Sequence, residues 1–245
     1  MRCIPYGSGS KEEMQMSMIK SKKGASAPQA TKEAGKRESS HLHVLRLSLL
    51  GLFAAIVLLM SFTPLGYLRI GALSVSFLVI PVAAGAIMLG PWGGLILGTL
   101  FGFSSFAQAF VGDAFAAMLL SINPICYAIM CIVPRVLTGL FAGLVSKGFA
   151  RSEKTTINTV TRSVVTSLLT PVFNTVMFMG SLVLFFWNDE YIQGFASGKS
   201  VLPFIIAFVG VNGLLEIAAS LLIGTAVGIA LIKVSDRMTG RKILW

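Results

Sequence analysis

The sequence predicts an all-α integral membrane protein of six transmembrane helices, with N-terminus and C-terminus in the cytoplasm. Two observations carry that expectation. The first is composition: apolar residues make up 55% of the 245 residues, charged residues 12%, and the mean hydropathy is +0.81. A soluble domain carries about 25% charge, and this much apolar surface cannot be hidden inside a water-soluble particle of this size. The second is where the charge lies. Of the 20 Lys and Arg, all but Arg69, Arg135 and Lys199 fall in three segments: the chain up to Arg46, the stretch from Lys147 to Arg162, and the stretch from Lys233 to Lys242. Cationic flanks collect on the cytoplasmic side of a membrane, and only an even number of spans puts a basic tail and a basic C-terminus on the same side. The net charge of +10 is thereby explained, and no nucleic-acid partner is expected.

Residues 1–42 mix Gly, Ser, Lys and Glu with few aromatics and cannot bury enough apolar area to offset their ordering entropy. They read as a disordered basic cytoplasmic tail. The first apolar run begins only after His43 and is too long for a cleavable signal. Residues 43–245 then form the membrane domain. About 20 apolar residues cross the hydrocarbon, which places spans at 44–62, 73–89, 92–111, 125–145, 163–187 and 201–232. Pro64 and Gly66 open the first loop, 64–71, and Gly90-Pro91 makes a tight turn. The apolar run within 112–124 is too short to cross and is expected at the outer interface.

Ionisable side chains are costly in lipid and mark functional sites. Only Arg135, in the fourth span, and Glu216, in the sixth, lie well inside, each near mid-helix. They read either as a structural pair joining two helices or as a ligand-binding cation, with Glu216 orienting it or accepting a ligand hydroxyl. Pro171 removes a helical donor and leaves the carbonyl near Ser167 without its partner. Asn174 and Thr175 follow one turn later, an arrangement that suits a cavity lining. Asn212 lies four residues before Glu216 and so on the same face, and Ser104, Ser105 and Gln108 occupy the outer half of the third span. Singly, each also reads as an interhelical hydrogen bond. Together they run from mid-membrane outward.

Small residues recur at spacings of four. Gly94, Gly98 and Gly102 read as internal close packing, and Gly51 with Ala55 near the cytoplasmic end as a face for a partner helix. Catalytic and metal sites are not expected. The only histidines, His41 and His43, precede the first span. Cys126 and Cys131 point about 140° apart on a helix, and Cys3 lies in the tail. GFASGKS at 194–200 lacks the spacing of a phosphate-binding loop. No cofactor follows from any of these.

The runs PLGYLRIGALSVSFLVIPVAAGAIMLGPWGGLILGTLFGF (64–103), VPRVLTGLFAGLV (133–145), PVFNTVMFMGSLVLFF (171–186) and VNGLLEIAASLLIGTAVGIAL (211–231) resemble the substrate-binding S components of energy-coupling factor (ECF) vitamin transporters. The likeness is to pantothenate-type members most of all, with folate-type relatives in the same broader family. It implies a six-helix subunit in the cell membrane that binds a vitamin from outside. It also implies a membrane coupling subunit and two cytosolic ATPase subunits as partners, with toppling in the bilayer to release ligand inward. Gly51 and Ala55 would contact the coupling subunit, and the loop 64–71 would be the outer gate. Candidate substrate-binding residues are then Arg135, Asn174, Thr175, Asn212, Glu216, Gln108 and Ser105. Pantothenate offers a carboxylate, hydroxyls and an amide to one arginine among amides and hydroxyls. A folate would need more cations or an aromatic slot, for which Phe103 and Phe106 are the candidates. A stand-alone secondary transporter is the alternative, although the two halves show no internal repeat of the kind common in such carriers.

Overall fold

The computed structural model describes residues 43–63, 66–70, 73–150, 156–196 and 200–239, beside the isolated Gln15. The chain divides into two compact units, Met1–Leu45 and Arg46–Trp245. The tail expected at 1–42 lies outside the described residues apart from Gln15. In order come helix α1 (His43–Ser61), strands β1 (Tyr67–Ile70) and β2 (Leu73–Ser76), α2 (Val79–Ala107) with a 3-10 turn Gln108–Phe110, and α3 (Ala114–Ile122). Then follow α4 (Pro124–Ala150), α5 (Thr156–Phe186), α6 (Glu190–Ala196), α7 (Val201–Ala219), a π-helical turn Ser220–Gly224 and α8 (Thr225–Thr239). Among the described residues five helices are long and apolar enough to cross a membrane: His43–Ser61, Val79–Phe110, Pro124–Phe149, Asn158–Phe186 and Gly213–Val234.

One of those five reverses on itself. Gly90 adopts φ 73°, ψ −162°, a conformation that glycine reaches without steric cost, and Pro91 starts the next helical segment where a missing N–H is harmless. Residues 85 and 97 lie about 18 Å apart along a straight helix. Here, however, a Cβ placed on Gly85 would strike the Leu97 side chain, and one on Gly94 would come within 3.1 Å of the Ala86 Cβ. The two halves of α2 therefore lie side by side, as the tight turn expected at Gly90-Pro91 requires.

Two expected boundaries need correction. Residues 73–78 were assigned to the second span, but Leu73–Ser76 forms β2, antiparallel to β1 with Tyr67 opposite Ser76 and Ile70 opposite Leu73. The segment LSVS alternates with period two, a strand signal that its apolar content obscured. The fifth helix starts at Thr156 rather than at 163, so Arg162 lies on a helix and is buried instead of sitting in a cytoplasmic loop. Its guanidinium donates to Ser146 Oγ at 2.8 Å and to the Ile87 carbonyl. Ile87 is in the last turn before the reversal, where carbonyls lack helical donors. Arg162 thus caps the shortened half-helix.

The second half of α2 packs on α4 through bare backbone. A Cβ on Gly94 would lie 2.1 Å from the Gly139 carbonyl oxygen, one on Gly98 2.5 Å from that of Arg135, and one on Gly143 2.5 Å from the Pro91 Cα. The internal packing expected of the 94/98/102 stripe is what the structure contains. The carbonyl that Pro171 frees also finds a donor, since Ser220 Oγ in the π-helical turn bonds the Ser167 oxygen at 2.8 Å. The buried apolar side chains form two clusters. Phe53 and Val57 of α1 join Val79, Val82, Leu97 and Phe101 in one, and Leu119, Tyr127, Met130, Leu182 and Phe186 form the core of the other.

Candidate functional site

Against the second of these clusters, whose Leu119, Tyr127 and Met130 line it, lies a cavity of about 120 Å³. The hairpin supplies Tyr67 and Ser76 to its wall, the end of α2 Ser105, the 3-10 turn after it Gln108, and α4 Tyr127, Cys131 and Arg135. From α5 come Asn174, Thr175, Phe178 and Met179, and from α7 Gly213 and Glu216.

Arg135 is the one cation among these lining residues, and it is 7% exposed. Its position has a local cause. Pro134 has no N–H for the Met130 carbonyl, its acceptor in a regular helix. Arg135 Nη1 donates to that oxygen at 2.9 Å. The guanidinium carbon also lies 4.5 Å from the Phe178 ring centroid and 5.6 Å from that of Phe101, so the cation rests on aromatic faces. Among the described residues its Nε has no hydrogen-bond partner.

Glu216 lines the same cavity, buried, with Oε1 lacking a hydrogen-bond partner. Among the described residues it makes no ion pair with Arg135 within 4.0 Å. Of the two readings of Arg135 and Glu216, the directly bonded structural pair is therefore not formed among the described residues, and Arg135 is held by its own helix and by rings instead. Among the described residues, Asn174 Oδ1 and the Tyr67 hydroxyl are likewise buried without a hydrogen bond of good geometry. Burial pushes the Tyr67 phenol up to about 12, against smaller lowerings by Arg135 and by the neighbouring Ser105 and Ser104 hydroxyls, so it stays protonated and remains a donor at neutral pH.

Of the residues expected from sequence, Ser105, Gln108, Arg135, Asn174, Thr175 and Glu216 share this one cavity. Asn212 lies on α7, but its side chain falls outside the described residues and it is not among the lining. The suggested aromatic slot does not form. Phe103 is exposed, and Phe106 packs against Phe110 and Tyr127 at centroid distances of 5.7 and 5.5 Å. Sequence reasoning missed Tyr67, Ser76, Asp113, Tyr127 and Phe178. Asp113 caps α3, its Oδ1 accepting from the Ala116 N–H at 3.1 Å. Asp ahead of an apolar run is a cap signal that was available in the sequence. Away from the cavity, Gly51 and Ala55 are exposed on α1, opposite the buried Phe53 and Val57, and a Cβ on Gly51 would meet nothing within 4 Å.

The chain is 25% identical, over 190 residues, to the pantothenate transporter PanT of Leuconostoc mesenteroides, a match covering 76% of this chain and 91% of that protein. The sequence model of the family described as "ECF transporter, substrate-specific component" matches residues 45–228. That stretch contains every residue of the cavity wall, and on it the chain belongs to the substrate-specific components of ECF transporters, multi-pass proteins of the cell membrane.

Proposed function

We propose that this chain captures a water-soluble vitamin from outside the cell, with pantothenate the best fit, and delivers it inward with a membrane coupling subunit and two cytosolic ATPase subunits. On this reading the chain crosses the membrane six times, with the halves of α2 as separate passes and both ends cytoplasmic, and it catalyses no reaction. The observation that carries it is the set of buried polar atoms left without protein partners around one cavity. Arg135 Nε is a cationic donor, Glu216 Oε1 and Asn174 Oδ1 are acceptors, and the Tyr67 hydroxyl is a donor. Buried polar atoms cost free energy unless paired. A ligand that satisfies this set carries an anionic group for the arginine and N–H or O–H groups for the acceptors, as pantothenate does. A dicarboxylate fits poorly, because the other charged residues of the wall are Asp113 and Glu216.

The decisive experiment purifies the protein, identifies co-purified small molecules by mass spectrometry and titrates pantothenate by calorimetry. Saturable one-to-one binding supports the reading. No heat with pantothenate, together with retention of a different vitamin, would replace the substrate. Uptake in cells lacking every ECF coupling subunit, abolished by a protonophore, would instead favour a secondary transporter.

Two variants test the parts. Tyr67→Phe removes one buried donor and should weaken pantothenate binding about tenfold, with the fold unchanged by circular dichroism. Gly51→Leu or Ala55→Leu should leave pantothenate binding intact and reduce co-purification of the coupling subunit, since neither position is buried. Loss of pantothenate binding in those variants would place that stripe in the core instead.

A further inference from the structure

Gln108 stands apart from the other cavity residues because it also grips a distant element. It is 6% exposed, lines the cavity, and its Nε2 donates to the Ser61 carbonyl at 2.6 Å, across 47 positions of sequence. Ser61 ends α1, so its carbonyl has no helical donor. The Gln108 Oε1 has no hydrogen bond among the described residues. The end of α1 that Gln108 grips abuts the root of the hairpin. Gly66 packs against the last turn of α1 so closely that a Cβ there would overlap the Met60 carbonyl, and its own carbonyl accepts the Phe77 N–H at 3.0 Å. Tyr67, with its unpartnered hydroxyl in the cavity wall, is the next residue.

We propose that Gln108 is a positioning residue that fixes the end of α1, and through it the hairpin root, so that the Tyr67 hydroxyl is presented to the ligand. The chain of contacts runs from the Gln108 amide to Ser61, from the α1 terminus to Gly66, and from Gly66 to the neighbouring phenol. The inference rests on the vitamin-binding reading for its ligand, but the grip itself exists without one.

The test is a double-mutant cycle on the full-length purified protein with pantothenate as probe, joined to amide hydrogen exchange of Phe62, Thr63, Gly66 and Tyr67 measured without ligand. Gln108→Met keeps the side chain's length and removes both polar atoms. Gln108→Met and Tyr67→Phe should each weaken binding about tenfold, and together by about the same tenfold rather than a hundredfold, because coupled residues are not additive. Without ligand, Gln108→Met should speed exchange at Phe62, Thr63, Gly66 and Tyr67 about tenfold and leave α5 unchanged, whereas Tyr67→Phe should not. Additive affinity losses, or unchanged exchange in Gln108→Met, would overturn the proposal. If the wild type binds no pantothenate, the substrate reading fails and the exchange result alone decides whether Gln108 holds the hairpin root. Should Gln108→Met not fold, Ser61→Pro is no substitute, and Gln108→Asn, one methylene short of Ser61, gives the same readouts.

Discussion

Replacing Arg135 with alanine should lower pantothenate affinity by at least about thirtyfold, since truncating one partner of a buried, hydrogen-bonded charge pair costs roughly 2–5 kcal/mol. Among the described residues the guanidinium is the one cation of the cavity wall, so no other described side chain there can take over a carboxylate. Arg135→Lys separates charge from shape. A lysine keeps the charge and loses the planar face that rests on Phe178 and Phe101, so an intermediate loss of about tenfold is expected. Glu216→Gln completes the comparison. Because Glu216 does not pair with Arg135, that change should leave Arg135 in place and weaken binding only through the lost ligand contact. Calorimetry on the three variants checks each statement. Unchanged affinity in a folded Arg135→Ala protein would remove the cation from the site.

Gly98→Leu should be as damaging through the fold. A Cβ at position 98 would already lie 2.5 Å from the Arg135 carbonyl oxygen and 3.2 Å from the Gly139 Cα. These are backbone atoms, and neither can move without parting α2 from α4. Even Gly98→Ala should cost about 1–3 kcal/mol, as overpacking usually does, and Gly98→Leu should yield little monodisperse protein. Gly180→Ala is the control, because a Cβ there meets nothing within 4 Å. A helical Gly→Ala change in open space is neutral or stabilises by up to about 1 kcal/mol. Thermal melts in detergent would order the variants, and a normal melt for Gly98→Leu would refute the close approach.

Much of this was legible in the sequence, for definite reasons. Hydropathy and charge give the class because lipid is an unforgiving solvent. Arg135 and Glu216 stood out because ionised groups are rare in it. Pro171 announced a freed carbonyl at Ser167, although not that Ser220 of a distant helix would bond it. The same rule applied to Pro134 points to the Met130 carbonyl, and the adjacent arginine is its donor. The hairpin was harder to see, since LSVS is apolar enough to pass for the start of a span. With the hairpin went Tyr67 and Ser76, whose place in the cavity depends on a fold-back that no periodicity within the helices reveals. Arg162 was hidden among loop cations because its capping role requires knowing that α2 turns at Gly90.

The bond from Arg135 to the Met130 carbonyl also bears on how the protein reaches the membrane. A lone arginine at the centre of an inserting helix costs about 2.5–3.5 kcal/mol, and α4 has to enter the bilayer before α5 and α7 are there to receive it. Its acceptor, however, is five residues back on the same helix and is free because Pro134 precedes the arginine. The segment thus brings a partner for its charge through the translocation machinery. Pro134→Ala should therefore reduce the yield of inserted protein before it changes any property of the finished site.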